Sequence, residues 1–271
     1  MDSKAYLVIG ASGKTGSRVA QMLLNNGKPT KLVSRSSKIK FDWNDKSNWP
    51  EVLDNVKAMY VTYFPDLALP QAPEDIEILC QIARQQGVEH ITLLSGRGEA
   101  AAQSCEHIVQ NSGLGWTVIR ASWFAQNFTE GLFHQLLMNN AVELPVGNVK
   151  EPFIDIDDIS EIAYESLVDP KHAGQLYEVT GPELLSFPDV INRVNKVFGK
   201  QIRFQQVPVS DFSNNMAEIG LEPSTIGMLE YLFCHVLDGR NEQTTNDVHR
   251  ALGRHPRSFN QFLFKNAPLF A

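Results

Sequence analysis

Gly10-Ala11-Ser12-Gly13-Lys14-Thr15-Gly16 is the stretch of this chain whose residue types and spacing most directly imply chemistry. In a dinucleotide-binding turn the first glycine permits a tight turn, the second lets backbone approach a pyrophosphate, and the third lets helix pack close to strand. Gly10, Gly13 and Gly16 stand at those positions. Amides at the start of a helix, helped by its dipole, then hold phosphate oxygens. The run follows the apolar stretch Ala5–Ile9 and opens an amphipathic one, which is the strand–turn–helix context the motif needs. Gly13-Lys14-Thr15 could also end the phosphate loop of a nucleotide hydrolase. That motif requires a glycine five positions before Gly13, where Val8 stands.

The residues after the next apolar stretch select the cofactor. NAD sites place an acid there for the ribose hydroxyl. This chain has Ser34-Arg35-Ser36-Ser37, followed by Lys38 and Lys40. An acid repels the extra phosphate of NADP, whereas a guanidinium binds it in bidentate fashion. NADP(H) is therefore the expected cofactor, with Ser12, Lys14 and Thr15 joining the glycines around it. Asp42 and Trp43 are expected to border the adenine, with core packing an equal alternative for Trp43. Thr62 and Tyr63 end a third apolar run, and Phe64 opens a loop to Pro73 expected to wall the nicotinamide pocket. Ser95 ends another such run, at the edge where ligands lie in open α/β folds.

Catalytic residues stay unassigned. Many reductases of this architecture use a Tyr-x-x-x-Lys pair, and no Tyr or Lys lies between Leu93 and Trp123. Arg97, Glu99, Glu106 and His107 are the charged or titratable side chains there, apart from Cys105 and Arg120. A hydride acceptor that is already electrophilic, such as an iminium or a quinone, does not require an acid. Acid–base help contributes only ~100- to 10,000-fold, so positioning can carry much of the rate. His107 is a candidate acid or a surface histidine. Ser95 lacks the Gly-x-Ser-x-Gly elbow of a hydrolase. The spacing of His249 and His255 matches no zinc motif, and no metal is expected. Trp123 and Phe124, with Phe128 nearby, would form an aromatic wall for a flat substrate. Asn127 would touch that substrate or cap the next helix.

These groups need a scaffold at the right pitch. Strands are expected at Ala5–Ile9, Thr30–Ser34, Phe41–Trp43, Ala58–Tyr63, His90–Ser95 and Trp116–Arg120. Helices are expected from Thr15 to near Gly27, around Trp49–Asn55, and at Glu74–Gln86 and Glu99–Asn111. Such alternation predicts a Rossmann-type, doubly wound parallel sheet in the α/β class. Beyond Asn127 the rhythm loosens: strands at Val142–Val146, Phe153–Ile156 and Leu176–Thr180, helices at Asp157–Val168, Ser186–Phe198 and Ser224–Leu237. The reading is a dinucleotide-binding domain over 1–150 and a smaller α+β substrate lobe over 151–271, partly interleaved with the first.

Bulk properties exclude other classes. The chain has 271 residues, 43% hydrophobic and 20% charged, with a net charge of −7. A basic footprint for nucleic acid or anionic membrane is missing. The cysteines Cys80, Cys105 and Cys234 form no disulfide framework, which fits a reducing cytoplasm. Met1-Asp2-Ser3-Lys4 runs into the first strand with no signal peptide expected, and no apolar run reaches membrane-spanning length. The expected partner is a small-molecule substrate, and a homodimer is compatible with the chain.

With these residues in place, the chain resembles the NmrA-like branch of the atypical short-chain dehydrogenase/reductases. The resemblance rests on the glycine motif, Ser34-Arg35-Ser36, Ser112–Arg120, Trp123–Phe128, Phe153–Ile159 and Leu176–Pro182, in that order. Within that branch, Gly13-Lys14-Thr15, Ser34–Ser37 and Phe41-Asp42-Trp43 are similar to the festuclavine/agroclavine dehydrogenase group, which reduces an iminium with NADPH. Relatives also include NADPH-dependent quinone reductases and NADP-sensing regulators without turnover. Some carry a lysine where this chain has Ala100-Ala101-Ala102. The resemblance implies an NADPH-dependent oxidoreductase acting on an iminium, quinone or similar conjugated molecule; the alternative is a non-catalytic NADP(H) sensor.

Overall fold

A strand apolar at every position must be covered on both faces, and Ala5–Ile9 lies between two parallel neighbours, Thr30–Val33 and Val56–Val61. The computed structural model describes residues 4–270, so Met1–Ser3, where no signal peptide is expected, lie outside the described residues. Along the chain come β1 (Ala5–Ile9), α1 (Lys14–Asn25), β2 (Thr30–Val33), α2 (Trp49–Leu53), β3 (Val56–Val61), α3 (Ala72–Gln85), β4 (His90–Gly96), α4 (Ala100–Gln110) and β5 (Gly115–Ala121). There follow α5 (Leu132–Met138), β6 (Ala141–Leu144), β7 (Lys150–Glu151), α6 (Ile156–Val168), β8 (Gln175–Val179), β9 (Leu185–Ser186) and α7 (Phe187–Phe198). The last elements are β10 (Arg203–Gln206), α8 (Val209–Glu218), α9 (Pro223–Tyr231), α10 (Asp247–Leu252) and α11 (Phe259–Lys265).

The chain divides into two compact units. The first holds 1–121, 156–179 and 246–255; the second holds 122–155, 180–245 and 256–271. The sequence boundary at 150/151 falls inside the second unit. The chain leaves the first unit after β5 and returns because β8 pairs with β5, Arg120 opposite Glu178.

In the first unit a six-stranded parallel sheet has the order β2-β1-β3-β4-β5-β8. Strand order reverses at β1, which makes its carboxyl end the topological switch point. Side chains alternate across the sheet. Leu7, Ile9, Met59, Val61, Ile91 and Leu93 join Ile76, Leu79, Cys105 and Val109 of α3 and α4 in one core. On the opposite face the Thr92 and Ser166 hydroxyls pair at 2.8 Å, which places α6 there. Arg18 on α1 pairs with Asp157 on α6 at 3.2 Å. Helices on both faces of a parallel sheet make the doubly wound Rossmann-type fold.

Two expected strands are shortened. Phe41–Trp43 is reduced to the isolated bridge Asp42–Asp45, with Ser34–Lys40 just before it. The Asp42 carbonyl accepts from Trp49 Nε1 at 3.2 Å, and the Asp42 carboxylate accepts the Asn44 amide at 3.0 Å. These local turns compete with a ladder. Phe153–Ile156 is likewise reduced to the bridge Phe124–Ile154, and Ile156 already opens α6. The helix expected to reach Leu237 stops at Tyr231 and finishes in a π turn over Leu232–Val236.

The second unit is built on aromatic packing. Phe128, Phe133, Phe153, Phe187 and Phe259 form its centre, with Phe128–Phe153 centroids 5.2 Å apart, edge to face. Ring pairs in that geometry add ~0.5–1.5 kcal/mol beyond burial. Helix α7 is closed by a capping box between Ser186 and Asp189. Among the described residues no helix is long and apolar enough to cross a membrane.

Candidate functional site

The glycine turn is shaped by what lies behind it. Gly10 has φ +82°, and a Cβ there would sit 2.0 Å from Thr62 Oγ1. Thr62 is held in that place by donating to the Ile9 carbonyl at 3.1 Å. A Cβ on Gly16 would lie 2.1 Å from the Gly10 carbonyl oxygen, so α1 starts in direct contact with the end of β1. The Gly13 amide donates back to Gly10 O at 2.9 Å. The inner side of the turn is therefore closed, while Ser12 and Gly13 are exposed on the outer side. Thr15 is buried and Lys14 half-buried.

Helix α1 begins at Lys14 with Gly13 as N-cap, no side-chain cap and no acidic residue in its first turn. The first amides of a helix have no intrahelical acceptor. Most helices satisfy one of them with Ser, Thr, Asp or Asn at the cap. Here a glycine occupies that position, so no cap side chain or first-turn carboxylate offsets the positive end of the dipole.

The turn after β2 is pinned by its own hydroxyls. The Ser34 amide donates to Ser37 Oγ at 2.6 Å, and the Ser37 hydroxyl donates to Ser34 O at 2.9 Å. Ser36 donates its amide to Ser34 Oγ at 3.3 Å. Ser34 is buried, while Arg35 and Ser36 face solvent. The Arg35 guanidinium stacks on the Phe64 ring, 3.9 Å from its centroid. Phe64, expected in a substrate pocket, is thus the platform for Arg35.

Trp43 and Tyr63 are more enclosed than expected. Trp43 is buried among Phe41, Trp49 and Tyr63, with centroids 5.0, 5.5 and 4.5 Å away. The core-packing alternative describes its surroundings. The Tyr63 hydroxyl donates to Asp75 Oδ2 at 2.6 Å, and Asp75 pairs with Lys46 at 2.6 Å. Burial and the Asp75 carboxylate hold the Tyr63 hydroxyl well above its ordinary pKa.

Ser95 opens a chain of charged contacts that the motif reading missed. Its hydroxyl donates to Glu106 Oε1 at 2.6 Å. Glu106, 1% exposed, pairs with Arg120 at 2.5 Å. Arg120 reaches Glu178 at 3.3 Å, and Arg97 reaches Glu178 at 2.8 Å. The parallel register puts Ser95, Arg120 and Glu178 in one row across β4, β5 and β8. The carboxylates of Glu106 and Glu178 hold the Arg120 pKa above its usual value. The one signal in the sequence was the concentration of charges between Arg97 and Arg120; no local pattern pairs them.

His107 is exposed on α4. It lines a cavity of about 400 Å³ with Glu77, Cys80, Gln81, Arg84 and Asn111 between α3 and α4. In the second unit Trp123 is half-buried, stacked 6.2 Å from Phe133 and edge-on to Phe187 at 5.8 Å. The Phe124 backbone bridges Ile154. Asn127 lies in the 3-10 turn Ala125–Phe128, and the next helix starts at Leu132 with Gly131 as its cap. Helix capping is therefore not its role.

The model of the NmrA-like family matches residues 101–263. The chain belongs to the NmrA-like family. This NmrA-like chain is 29% identical to the agroclavine dehydrogenase of Claviceps fusiformis over 281 residues, covering 96% of each. It is 28% identical to the festuclavine dehydrogenase of Aspergillus fumigatus over 276 residues, 94% of this chain and 95% of that one. Among solved structures, the Citrobacter sp. triphenylmethane reductase complexed with NADP(H) aligns with a TM-score of 0.82 at 15% identity. That alignment covers 97% of this chain and 99% of the reductase.

Proposed function

We propose that this chain is an NADPH-dependent oxidoreductase that transfers hydride to a conjugated small molecule, an iminium or a quinone. The observation that carries the reading is the glycine turn, closed behind by Thr62 and Gly10 and open in front at an uncapped helix start. Such a turn fits a pyrophosphate. Ser12, Lys14, Thr15 and Gly16 would hold it through the helix start and its dipole, while Gly10 and Gly13, whose amides donate to Val33 O and Gly10 O, would shape the turn around it. Arg35, oriented by Phe64 and the serine turn, would bind the ribose phosphate that distinguishes NADP from NAD, with Ser34 and Ser36 beside it. Asp42, Trp43, Thr62, Tyr63 and Ser95 then act from the surrounding edge. The named activities of the two dehydrogenases, and the NADP(H) complex of the reductase, support this assignment.

A bound dihydronicotinamide supplies hydride. The protein's share is to hold the donor and exclude competing contacts. With no tyrosine or lysine between Leu93 and Trp123, and Ser95 committed to Glu106, we read the site as working without a Tyr-Lys pair. Trp123, Phe124 and Asn127 are the residues of the second unit we assign to the substrate. The three unpaired thiols suit a cytoplasmic setting. A second reading, an NADP(H) sensor without turnover, is favoured by the same commitment of Ser95.

NADPH oxidation across a panel of quinones and cyclic iminium ions separates the two. Turnover with at least one acceptor class is expected. Tight NADPH binding with no acceptor reduced would select the sensor.

A further inference from the structure

Helix α6 ends in a way that its dipole does not favour. A cation suits the carboxyl end of a helix, yet the last turn of α6 holds no basic residue and carries Glu165. Asp169 follows one turn later, its amide donating to the Glu165 carbonyl at 2.8 Å. The two carboxylates therefore share a helical face, where like charges four residues apart repel. The 3-10 turn Pro170–His172 then brings His172 back to them. A ring nitrogen of His172 and one carboxylate oxygen each from Glu165 and Asp169 all lie within 4.8 Å of one another.

His172 is what makes this more than a pair of acids. It is 1% exposed. Its Nδ1 meets the Tyr177 hydroxyl at 2.8 Å, and its Nε2 is buried with no hydrogen-bond partner. A buried polar atom without a partner is costly. A neutral imidazole that donates from Nδ1 presents a bare lone pair at Nε2, the form that binds metal. Metal-bound histidines commonly give their other ring N–H to an oxygen in this way. The backbone behind the ring is also fixed. The Thr117 hydroxyl donates to the His172 carbonyl at 2.7 Å, and the Gly174 amide donates to Trp116 O at 2.7 Å.

We propose that His172 Nε2, Glu165 and Asp169 bind a divalent transition-metal ion of the zinc type. One imidazole and two carboxylates are a donor set for such an ion, and the two carboxylates balance its charge. Ligand atoms of tetrahedral zinc stand roughly 3.4 Å apart, a spacing the two half-buried carboxylates reach by rotating their side chains. The Lys171 ammonium, 3.0 Å from Asp169 Oδ2 on an exposed side chain, is the cation to be displaced. An exposed pair of that kind contributes little. The set precedes β8, at the amino end of the parallel strands and away from the carboxyl edge that carries the glycine turn. The ion would clamp the end of α6 to the turn entering β8, a structural role independent of the oxidoreductase reading. The expectation of no metal rested on the spacing of His249 and His255, and this set uses neither.

Calorimetric titration of chelator-treated protein with zinc chloride tests the site. Saturable one-to-one binding is expected, with a rise in thermal stability that a chelator reverses. Tyr177→Phe should weaken zinc ~10-fold, the lower range for a residue behind a ligand. Glu165→Gln and His172→Gln each remove a ligand and should weaken it more. Glu165→Gln leaves the buried ring and its tyrosine in place, so it tests the site even where His172→Gln does not fold. His249→Gln should change nothing, and nitrogen NMR should show His172 Nε2 shifting as zinc is added. No saturable binding by the wild type, or undiminished binding by folded Glu165→Gln, would overturn the proposal. Binding lost in His249→Gln would also overturn it, by placing the ion elsewhere. Equal affinity for magnesium chloride would overturn the part given to the imidazole, because magnesium takes oxygen ligands.

Discussion

The two ends of the sheet's carboxyl edge solve the problem of polar groups in opposite ways. At the β1–β2 end, glycines allow close packing: Gly16 against the Gly10 backbone, and Gly10 against the Thr62 side chain. Its positive groups, the α1 amides and Arg35, point outward. At the β4–β5–β8 end, Ser95, Glu106, Arg120, Glu178 and Arg97 are linked in a continuous chain. One end, on the function proposed above, would receive charge from a ligand, and the other has its charges already matched. A polar group is therefore informative about binding only after its internal partners are counted.

The largest effect should come from breaking the matched end. Arg120→Met leaves Glu106 buried without its cation, which costs about 3 kcal/mol or more. Urea denaturation should show that loss, and a change below ~1 kcal/mol would mean the chain of ion pairs contributes little. Next, Gly16→Val forces a Cβ into the Gly10 carbonyl. A stability loss of ~1–3 kcal/mol is expected for such overpacking, together with loss of NADPH binding by calorimetry. Retained affinity in a folded Gly16→Val protein would show that the turn does not hold the cofactor.

Arg35→Asp probes the open end without touching the core. A charge-assisted contact contributes ~1.5–3 kcal/mol, so NADPH should weaken ~10- to 100-fold and NADH much less. Equal losses would remove Arg35 from cofactor choice. The smallest effect belongs to Phe64→Leu. Losing a cation–π platform at an exposed site costs ~0.5–1 kcal/mol, hence a ~2- to 5-fold weaker NADPH complex. No change on fluorescence titration would make the stacking incidental.

The same contrast explains what could be read from the sequence. The glycine turn was legible because its parts are contiguous, and its strand and helix carry their own periodicities. Arg35 was legible as a residue type, yet its contact with Phe64 joins two loops and leaves no local pattern. The ion-pair chain joins positions 95 to 178, and only strand register brings them together. The Phe41–Trp43 strand failed because alternation of apolar residues says nothing about the Trp49 indole taking the Asp42 carbonyl. The boundary at 150 failed for a similar reason: β8 returns to the first sheet late in the chain, guided by its pairing with β5 rather than by composition.

Calorimetric titration of the wild-type protein with NADPH and with NADH tests the central claim most directly. Saturable binding of NADPH, tighter than that of NADH and weakened by added salt, is the expected result. Absence of heat from either nucleotide, confirmed by unchanged thermal stability at high nucleotide concentration, would contradict it.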